Sequence, residues 1–366
     1  MRPDVDVVVV GGGPAGAVAA LNLAPGRSLL LVERRERAVR VGESLLPAAR
    51  RLLADMGLLD AFAAEGHAPW YGNTSSWGGD AIEELDFLRG PDGHGWHLDR
   101  ARFETWLQRE AVARGARLVH AVASDVQPAA PGWRLLLRGP GGAVRVHTRA
   151  LLDAGGRCSP LSRRLGGVRT RDDRLVCGWL HGEGDGPGLT SIVAEPDGWW
   201  YTAPLPGARR ILAFHTDADL PAAREARDPA LLLARAAAVP QLAPWLAGAR
   251  FAAPAAAGLA LAHGAVLAPA AGPGWAAVGD AALGFDPLAS QGLFNALYTG
   301  LAAAEAMARH LDGEPDAVAD YTRQLARVRE AYVRHRDETY RREQRWSSRP
   351  FWARRHVLAA PWAEVS

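Results

Sequence analysis

The chain has 366 residues, 48% hydrophobic and 22% charged, a balance that excludes a disordered polymer and allows two or three packed units. Its formal net charge of +2 offers no electrostatic footprint for nucleic acid. All 42 Lys+Arg positions are arginine, so no side chain can form a Schiff base, act as an amine nucleophile or carry a chloramine.

Cys158 and Cys177 form neither a CxxC pair nor a metal spacing, and two cysteines are too few for a disulfide framework. Met1-Arg2-Pro3-Asp4 leads directly into a short apolar strand, without a signal-peptide pattern. The longest uncharged stretch, Phe251 to Gly279, is broken by Pro254, Pro269 and Pro273 and contains His263. Buried strand and loop are expected there rather than a membrane span, and a cytoplasmic protein overall.

In chain order, Asp6 to Val10 is a β-branched run of the kind that forms a buried parallel strand. The glycine-rich turn 11–16 follows, then a helix to about Leu23 stopped by Pro25-Gly26, and a second strand from Ser28 to Val32 ending at Glu33. The apolar spacing predicts a helix over Leu45 to Phe62, short strands and turns over His67 to His97, and a helix over Arg102 to Arg114. Trp133 to Leu137 and Ala143 to His147 are expected to pair as a hairpin, and Ala150 to Asp153 to form another buried strand. From Cys177 to Phe251 strand-like pieces dominate, including Gly198 to Pro204 and Arg210 to His215, with a helix over Pro229 to Val239. Trp275 to Val278 is a further buried strand. Gln291 to His310 and Val318 to Arg345 are long helices, the second basic, with Tyr321, Leu325, Val328 and Tyr332 on one stripe. From Asp320 to Ser366 the chain carries a net charge of +5, which fits either a solvated face or a docking face for a protein substrate or a reductase.

Gly11, Gly13 and Gly16 make G-x-G-x-x-G between a strand and a helix. The first glycine permits the tight turn, the second lets a pyrophosphate reach the backbone, and the third lets helix pack on strand. The helix N-terminus favours the anion, and Glu33, at the end of the second strand, suits ribose hydroxyls. No second motif of this kind follows, which argues against separate FAD and NAD domains.

Three further segments resemble the flavin monooxygenase and halogenase superfamily. They are Asp153-Ala154-Gly155-Gly156-Arg157, Val278-Gly279-Asp280-Ala281-Ala282 and Asp99-Arg100-Ala101-Arg102-Phe103. The resemblance implies that Asp153 begins a second FAD-contact turn, that Asp280 binds the ribityl chain and that Arg100 lies near the flavin phosphates. Gly42-Glu43-Ser44-Leu45-Leu46-Pro47 resembles the G-E-S-x-x-P segment near the isoalloxazine. Asp286 to Gly292 resembles the loop under the ring, which places Pro287, Ser290, Gln291 and Gly292 there. Trp77-Gly78, Gly95 to Arg100, the same Asp286 to Gly292, Glu343 to Trp346 and Phe351 to Arg355 resemble, within this superfamily, the tryptophan-oxygenating flavoprotein maturases of quinone-cofactor enzymes (LodB, GoxB and QhpG type).

The fold so implied is α/β. A Rossmann-type FAD-binding domain (1–70, 99–165 and 255–311) is interrupted by a mainly antiparallel β substrate domain (71–98 and 166–254) and followed by a C-terminal helical segment (312–366). The implied cofactors are FAD and O₂, with reducing equivalents from NAD(P)H directly or through a partner flavin reductase. Related halogenases use an active-site lysine and an acid in an E-S-T-G turn. This chain has no lysine, and its matching turn is Ala289-Ser290-Gln291-Gly292. Their W-x-W-x-I-P stretch is also missing, the nearest being Trp199 to Pro204. Hydroxylation of an aromatic ring by a flavin C4a-hydroperoxide is therefore expected, with a tryptophan indole, free or borne by a peptide or protein, as substrate. Glu43, Ser44, His67, Trp200 and Tyr201 are the candidate catalytic positions, with His97 a further polar contact. His94 and His97 lack a third metal ligand, so no metal is expected. The other readings are a flavin-dependent reductase of isoprenoid double bonds and a flavin-bound maturation chaperone. No nucleic-acid or membrane partner is expected.

Overall fold

The computed structural model describes residues 3–34, 41–184, 186–251 and 257–358; Met1, Arg2, Pro254 and the last eight residues lie outside them. The strand Val5–Val10 sits mid-sheet because its valines are buried on both faces, as a parallel strand requires. It pairs in parallel with Leu29–Glu33 on one side and with Gly142–Asp153 on the other; Arg117–His120 and Trp275–Ala277 extend the sheet outward. The registers Val10 to Val32, Val10 to Asp153 and Asp153 to Ala277 bring four strand ends to one edge. Ligands of open α/β sheets bind at such an edge.

Gly142–Asp153 corrects an expectation. The second hairpin strand and the strand Ala150 to Asp153 are one twelve-residue element. Its first half pairs antiparallel with Trp133–Gly139, and its second half pairs parallel with Val5–Val10. The helix expected over Leu45 to Phe62 is also divided. Ser44–Leu45 is a short strand on Gly95–His97, and the helices Ala49–Asp55 and Leu59–Ala63 are separated at Gly57, whose φ of +66° ends the first. An apolar helical spacing cannot reveal that turn, nor a strand whose partner lies fifty residues away.

A seven-stranded sheet forms the second layer. It runs Ala257–Leu261, Leu175–Glu183, Arg209–Asp217, Gly198–Leu205, Leu189–Glu195, Gly72–Ser76 and Glu83–Asp86. Every neighbouring pair is antiparallel except Leu189–Glu195 with Gly72–Ser76. Ala257–Leu261, expected in the cofactor domain, is thus an edge strand of the other sheet. Conversely, Val168–Arg171, expected in the substrate sheet, pairs with Ala265–Ala268 in a small separate sheet. One face of the large sheet packs on the short helices Ala222–Glu225 and Pro229–Ala237, around Trp200, Phe214 and Leu232. The other face packs on the C-terminal helices Ala317–Arg342 and Pro350–Leu358, around Trp199, Tyr340, Phe351 and Trp352. No helix among the described residues is long and apolar enough to cross a membrane.

The helix Pro14–Leu23 lies against the helix Gly292–Leu311 and the central strand, with nine of its ten residues buried. A Cβ on Gly16 would overlap the Gly11 carbonyl oxygen and come within 2.8 Å of the Ala154 side chain. Gly16→Ala is therefore expected to lower stability by at least the roughly 1–3 kcal/mol of an overpacked core, read as a fall in the denaturant midpoint.

Candidate active site

A cavity of about 820 Å³ opens at the strand-end edge and runs from the glycine turn to the large sheet. At its first end lie Gly11, Gly13, Pro14, Glu33, Arg100 and Asp280. Gly11 has φ +110°, and a Cβ there would strike the Ala154 carbonyl, so the two turns meet only because this residue is glycine. The helix Pro14–Leu23 begins at Gly13 with no side-chain cap and with proline, which has no N–H, at its first position; Ala15, which carries the first free N–H, borders the cavity. Glu33 accepts a hydrogen bond from the Gly12 N–H and also borders the space. Arg100 donates to the Gly42 carbonyl (2.6 Å) and to Glu104 (2.6 Å), while its buried Nε has no hydrogen-bond partner among the described residues. Asp280 is held by Arg157 at 3.0 Å, and Arg157 in turn donates to the Phe285 carbonyl at 2.8 Å. A glycine cradle, an open helix start, a bordering carboxylate and a spare guanidinium N–H together fit the pyrophosphate and ribose of a dinucleotide.

In the middle, Pro287, Ser290 and Gly292 line the wall. Ser290 takes the left-handed conformation, φ +50°, and the helix Gly292–Leu311 starts beside it without a side-chain cap. Gln291 is at this helix start, but its carbonyl accepts from Asn295 (2.9 Å) and its side chain is not on the wall. The loop is tied from behind. Asp286 donates its N–H to the Tyr332 hydroxyl at 2.8 Å, and its carboxylate accepts from the Tyr340 hydroxyl at 2.7 Å. Burial raises the pKa of Asp286 above the usual carboxylate range, against the pull of Arg355 and Arg336; desolvation, with the Asp286 carboxylate adding to it, pushes the half-buried Asp173 up to about 6.

At the far end, Glu43, Ser44, Cys177, Trp179, Tyr201, Ile211, Ala213 and His215 surround the space. Ser44 and Tyr201, 157 positions apart, bring their hydroxyls to 2.7 Å. Burial raises the Tyr201 phenol pKa, and the Glu43 carboxylate adds to it. Glu43 accepts from the Gly42 N–H at 2.8 Å, and its other oxygen is 3.5 Å from Nε2 of His181.

Besides Gln291, four expected site residues lie off the cavity wall. Trp200 is fully buried on the opposite face of its strand, with its indole N–H donated to Glu195 at 2.8 Å and its ring 4.7 Å from Phe214. Strand alternation sends Trp199 and Tyr201 one way and Trp200 the other. His67 sits in an aromatic cluster, 5.2 Å from Phe62 and 5.9 Å from Phe103, where burial lowers its pKa to about 4. Asp153 is completely buried, and its carboxylate accepts from the Gly155 N–H, the Ser159 hydroxyl and the Ser162 N–H at 2.7–2.9 Å. It shapes the turn, while Ala154 to Arg157 face the cavity. His97, the further polar contact, bonds Thr190 at 2.9 Å off the wall. No group of three or more metal-binding side chains occurs among the described residues.

Cys177, Trp179, Ile211, Ala213 and His215 went unforeseen. Their only signal is period-two placement on Leu175–Glu183 and Arg209–Asp217, and the face depends on which strands pair. Trp77-Gly78 and the tail, by contrast, prove to be neighbours. The Trp77 indole donates to the Thr339 carbonyl (2.8 Å), the Gly78 N–H donates to Glu343 (2.7 Å), and Trp77 and Trp352 lie 5.4 Å apart. The C-terminal helices spend part of their basic charge on internal pairs, with Arg336 of Ala317–Arg342 on Asp172 at 2.7 Å and the buried Arg355 of Pro350–Leu358 on Asp217 at 2.9 Å.

Two outcomes follow. Tyr340→Phe removes a donor from buried Asp286 and is expected to cost about 1–3 kcal/mol in denaturant unfolding, with weaker flavin retention. His97 is held neutral by burial, with Arg210 adding to the effect, and its pKa is lowered to about 3. Below about 6.5 the unfolded histidine takes a proton that the folded one refuses, so stability falls as pH drops from 6.5 towards 3. His97→Gln is expected to flatten the slope of unfolding free energy between about pH 4 and 6 by about 1.4 kcal/mol per pH unit.

Residues 4–234 match the FAD binding domain family. The chain is 29% identical to LodB of Marinomonas mediterranea, named as an FAD-dependent oxidoreductase, over 97% of this chain and 98% of that one. Its fold superposes on the myxobacterial chondrochloren halogenase CndH with a TM-score of 0.88 at 26% identity, covering 96% of this chain and 85% of that one. The peptidyl tryptophan dihydroxylase QhpG shares the fold with a TM-score of 0.75 at 24% identity, covering 97% and 79%. The chain belongs to the FAD binding domain family, and its fold is that of the FAD-dependent halogenases and monooxygenases.

Proposed function

We propose that this chain is an FAD-dependent monooxygenase that hydroxylates an aromatic ring, with a tryptophan indole, free or carried by a peptide or protein, as its substrate. The carrying observation is the single cavity that joins a dinucleotide cradle to a wall made of Trp179, Tyr201, Ile211 and Ala213. When bound and reduced, FAD supplies the activation of O₂ that lets one oxygen atom pass to the ring, with electrons from NAD(P)H directly or through a partner flavin reductase. Gly11, Gly13 and the uncapped helix start would hold the pyrophosphate, Glu33 the ribose, Arg100 the phosphates and Asp280 the ribityl chain. Pro287, Ser290 and Gly292 would border the isoalloxazine.

The protein's own work is then orientation and exclusion of water. Ser44 and Tyr201 brace each other at the substrate end, and the buried apolar wall keeps that end dry. The likeness to LodB, and the shared fold with a protein named for peptidyl tryptophan dihydroxylation, support this substrate class. The likeness to CndH makes halogenation the rival. Against it stand the absence of lysine and the Ala289 that replaces the acid.

The test is mass spectrometry of tryptophan-containing peptides incubated with the FAD-loaded chain, a reducing system, chloride and ¹⁸O₂. The reading predicts a gain of oxygen on the peptide that shifts by the isotope difference. A chlorinated product, or no O₂-dependent change on any aromatic substrate, would contradict it.

A further inference from the structure

We infer that Glu43, positioned by His181, forms a subsite for a ring N–H at the substrate end of the cavity. This rests on the aromatic-oxygenation reading and narrows it to rings that carry their own hydrogen-bond donor.

Glu43 is 2% exposed and lines the cavity. Its Oε2 is satisfied by the Gly42 N–H, but Oε1 has no hydrogen-bond partner among the described residues. His181 Nε2 lies 3.5 Å from Oε1 and is likewise without a hydrogen-bond partner among the described residues. A buried carboxylate oxygen without a donor is costly, and a ligand donor would relieve that cost.

The surroundings define the ligand. Ser44 and Tyr201 engage each other at 2.7 Å, which leaves Glu43 Oε1 and, on the next strand, His215 Nδ1 as the buried side-chain atoms of this wall without a hydrogen-bond partner among the described residues; of the two only Glu43 Oε1 is a carboxylate oxygen. Cys177, Trp179, Ile211 and Ala213 supply flat or apolar walls. An ammonium brings three donors and would find a single open carboxylate oxygen, whereas an indole N–H brings one donor on a flat apolar body. The His181 ring, 5.0 Å from that of Trp179, is a positioning residue that limits where the carboxylate can turn.

The experiment is calorimetric titration of the FAD-loaded full chain with N-acetyltryptophanamide and with its benzofuran analogue, in which ring oxygen replaces N–H at nearly unchanged shape. The subsite predicts that the indole binds about tenfold or more tighter in the wild type. Glu43→Leu should bring the two within about twofold, and His181→Leu should reduce the preference in part. Should Glu43→Leu fail to fold, Glu43→Gln asks the same question, since a neutral acceptor loses charge assistance and the preference must fall. Equal binding in the wild type, a preference that survives at position 43, or binding of neither ligand would overturn the subsite. If the two ligands bind equally while the indole still gains ¹⁸O, the subsite falls and the oxygenation reading stands. If the indole is preferred but never oxygenated, the oxygenation reading falls and the subsite stands.

Discussion

The close approach of Gly11 to Ala154 is the constraint on which the rest depends. Any side chain at position 11 would strike the Ala154 carbonyl, and one at position 16 would strike Gly11 itself. With glycine at both, the ends of Val5–Val10 and Gly142–Asp153 stay side by side, and the turns beyond them form a cavity floor from backbone rather than side chain. Asp153, buried beneath this floor, fastens the second turn by accepting from Gly155, Ser159 and Ser162. The polarity of the floor follows: a helix start without a side-chain cap, with few side chains to fill the space.

The two ends of the cavity are joined through the C-terminal helix. Tyr332 and Tyr340 hold Asp286 at the base of the central loop, and the Tyr340 hydroxyl accepts from the Trp199 indole at 3.1 Å. Trp199 stacks on His215 at 3.7 Å, and His215 borders the substrate end. Loop and substrate wall therefore share one buried network, in which each polar group is supported by the next. Arginine in every place where lysine could stand suits this packing. Its planar guanidinium can satisfy a carboxylate from inside the protein, as Arg355 does for Asp217 and Arg336 for Asp172.

Much of the cofactor end was legible from the amino-acid order, because glycines at 11, 13 and 16, a strand before, a helix after and Glu33 are local features. Ser44 and Tyr201 were each singled out, though nothing local revealed that their hydroxyls meet. Trp200 was misplaced for the same reason. Alternation along a strand says which residues share a face, but pairing decides which face meets the cavity. The divided helix after Leu45 shows the same limit: apolar spacing survived, while Gly57 and a distant strand partner broke the element. His67, a candidate catalytic position, is instead half-buried against the rings of Phe62 and Phe103. The tail carried a resemblance whose physical basis is contact with Trp77 and Gly78 rather than with the cavity.

The most direct measurement of the central claim is a crystal structure of the FAD-loaded chain with N-acetyltryptophanamide bound. The account predicts the dinucleotide along the Gly11–Glu33 end and the indole between Trp179 and Tyr201, facing the isoalloxazine across the same cavity. An isoalloxazine that fills the far end by itself, or an indole seated anywhere outside this space, would contradict it.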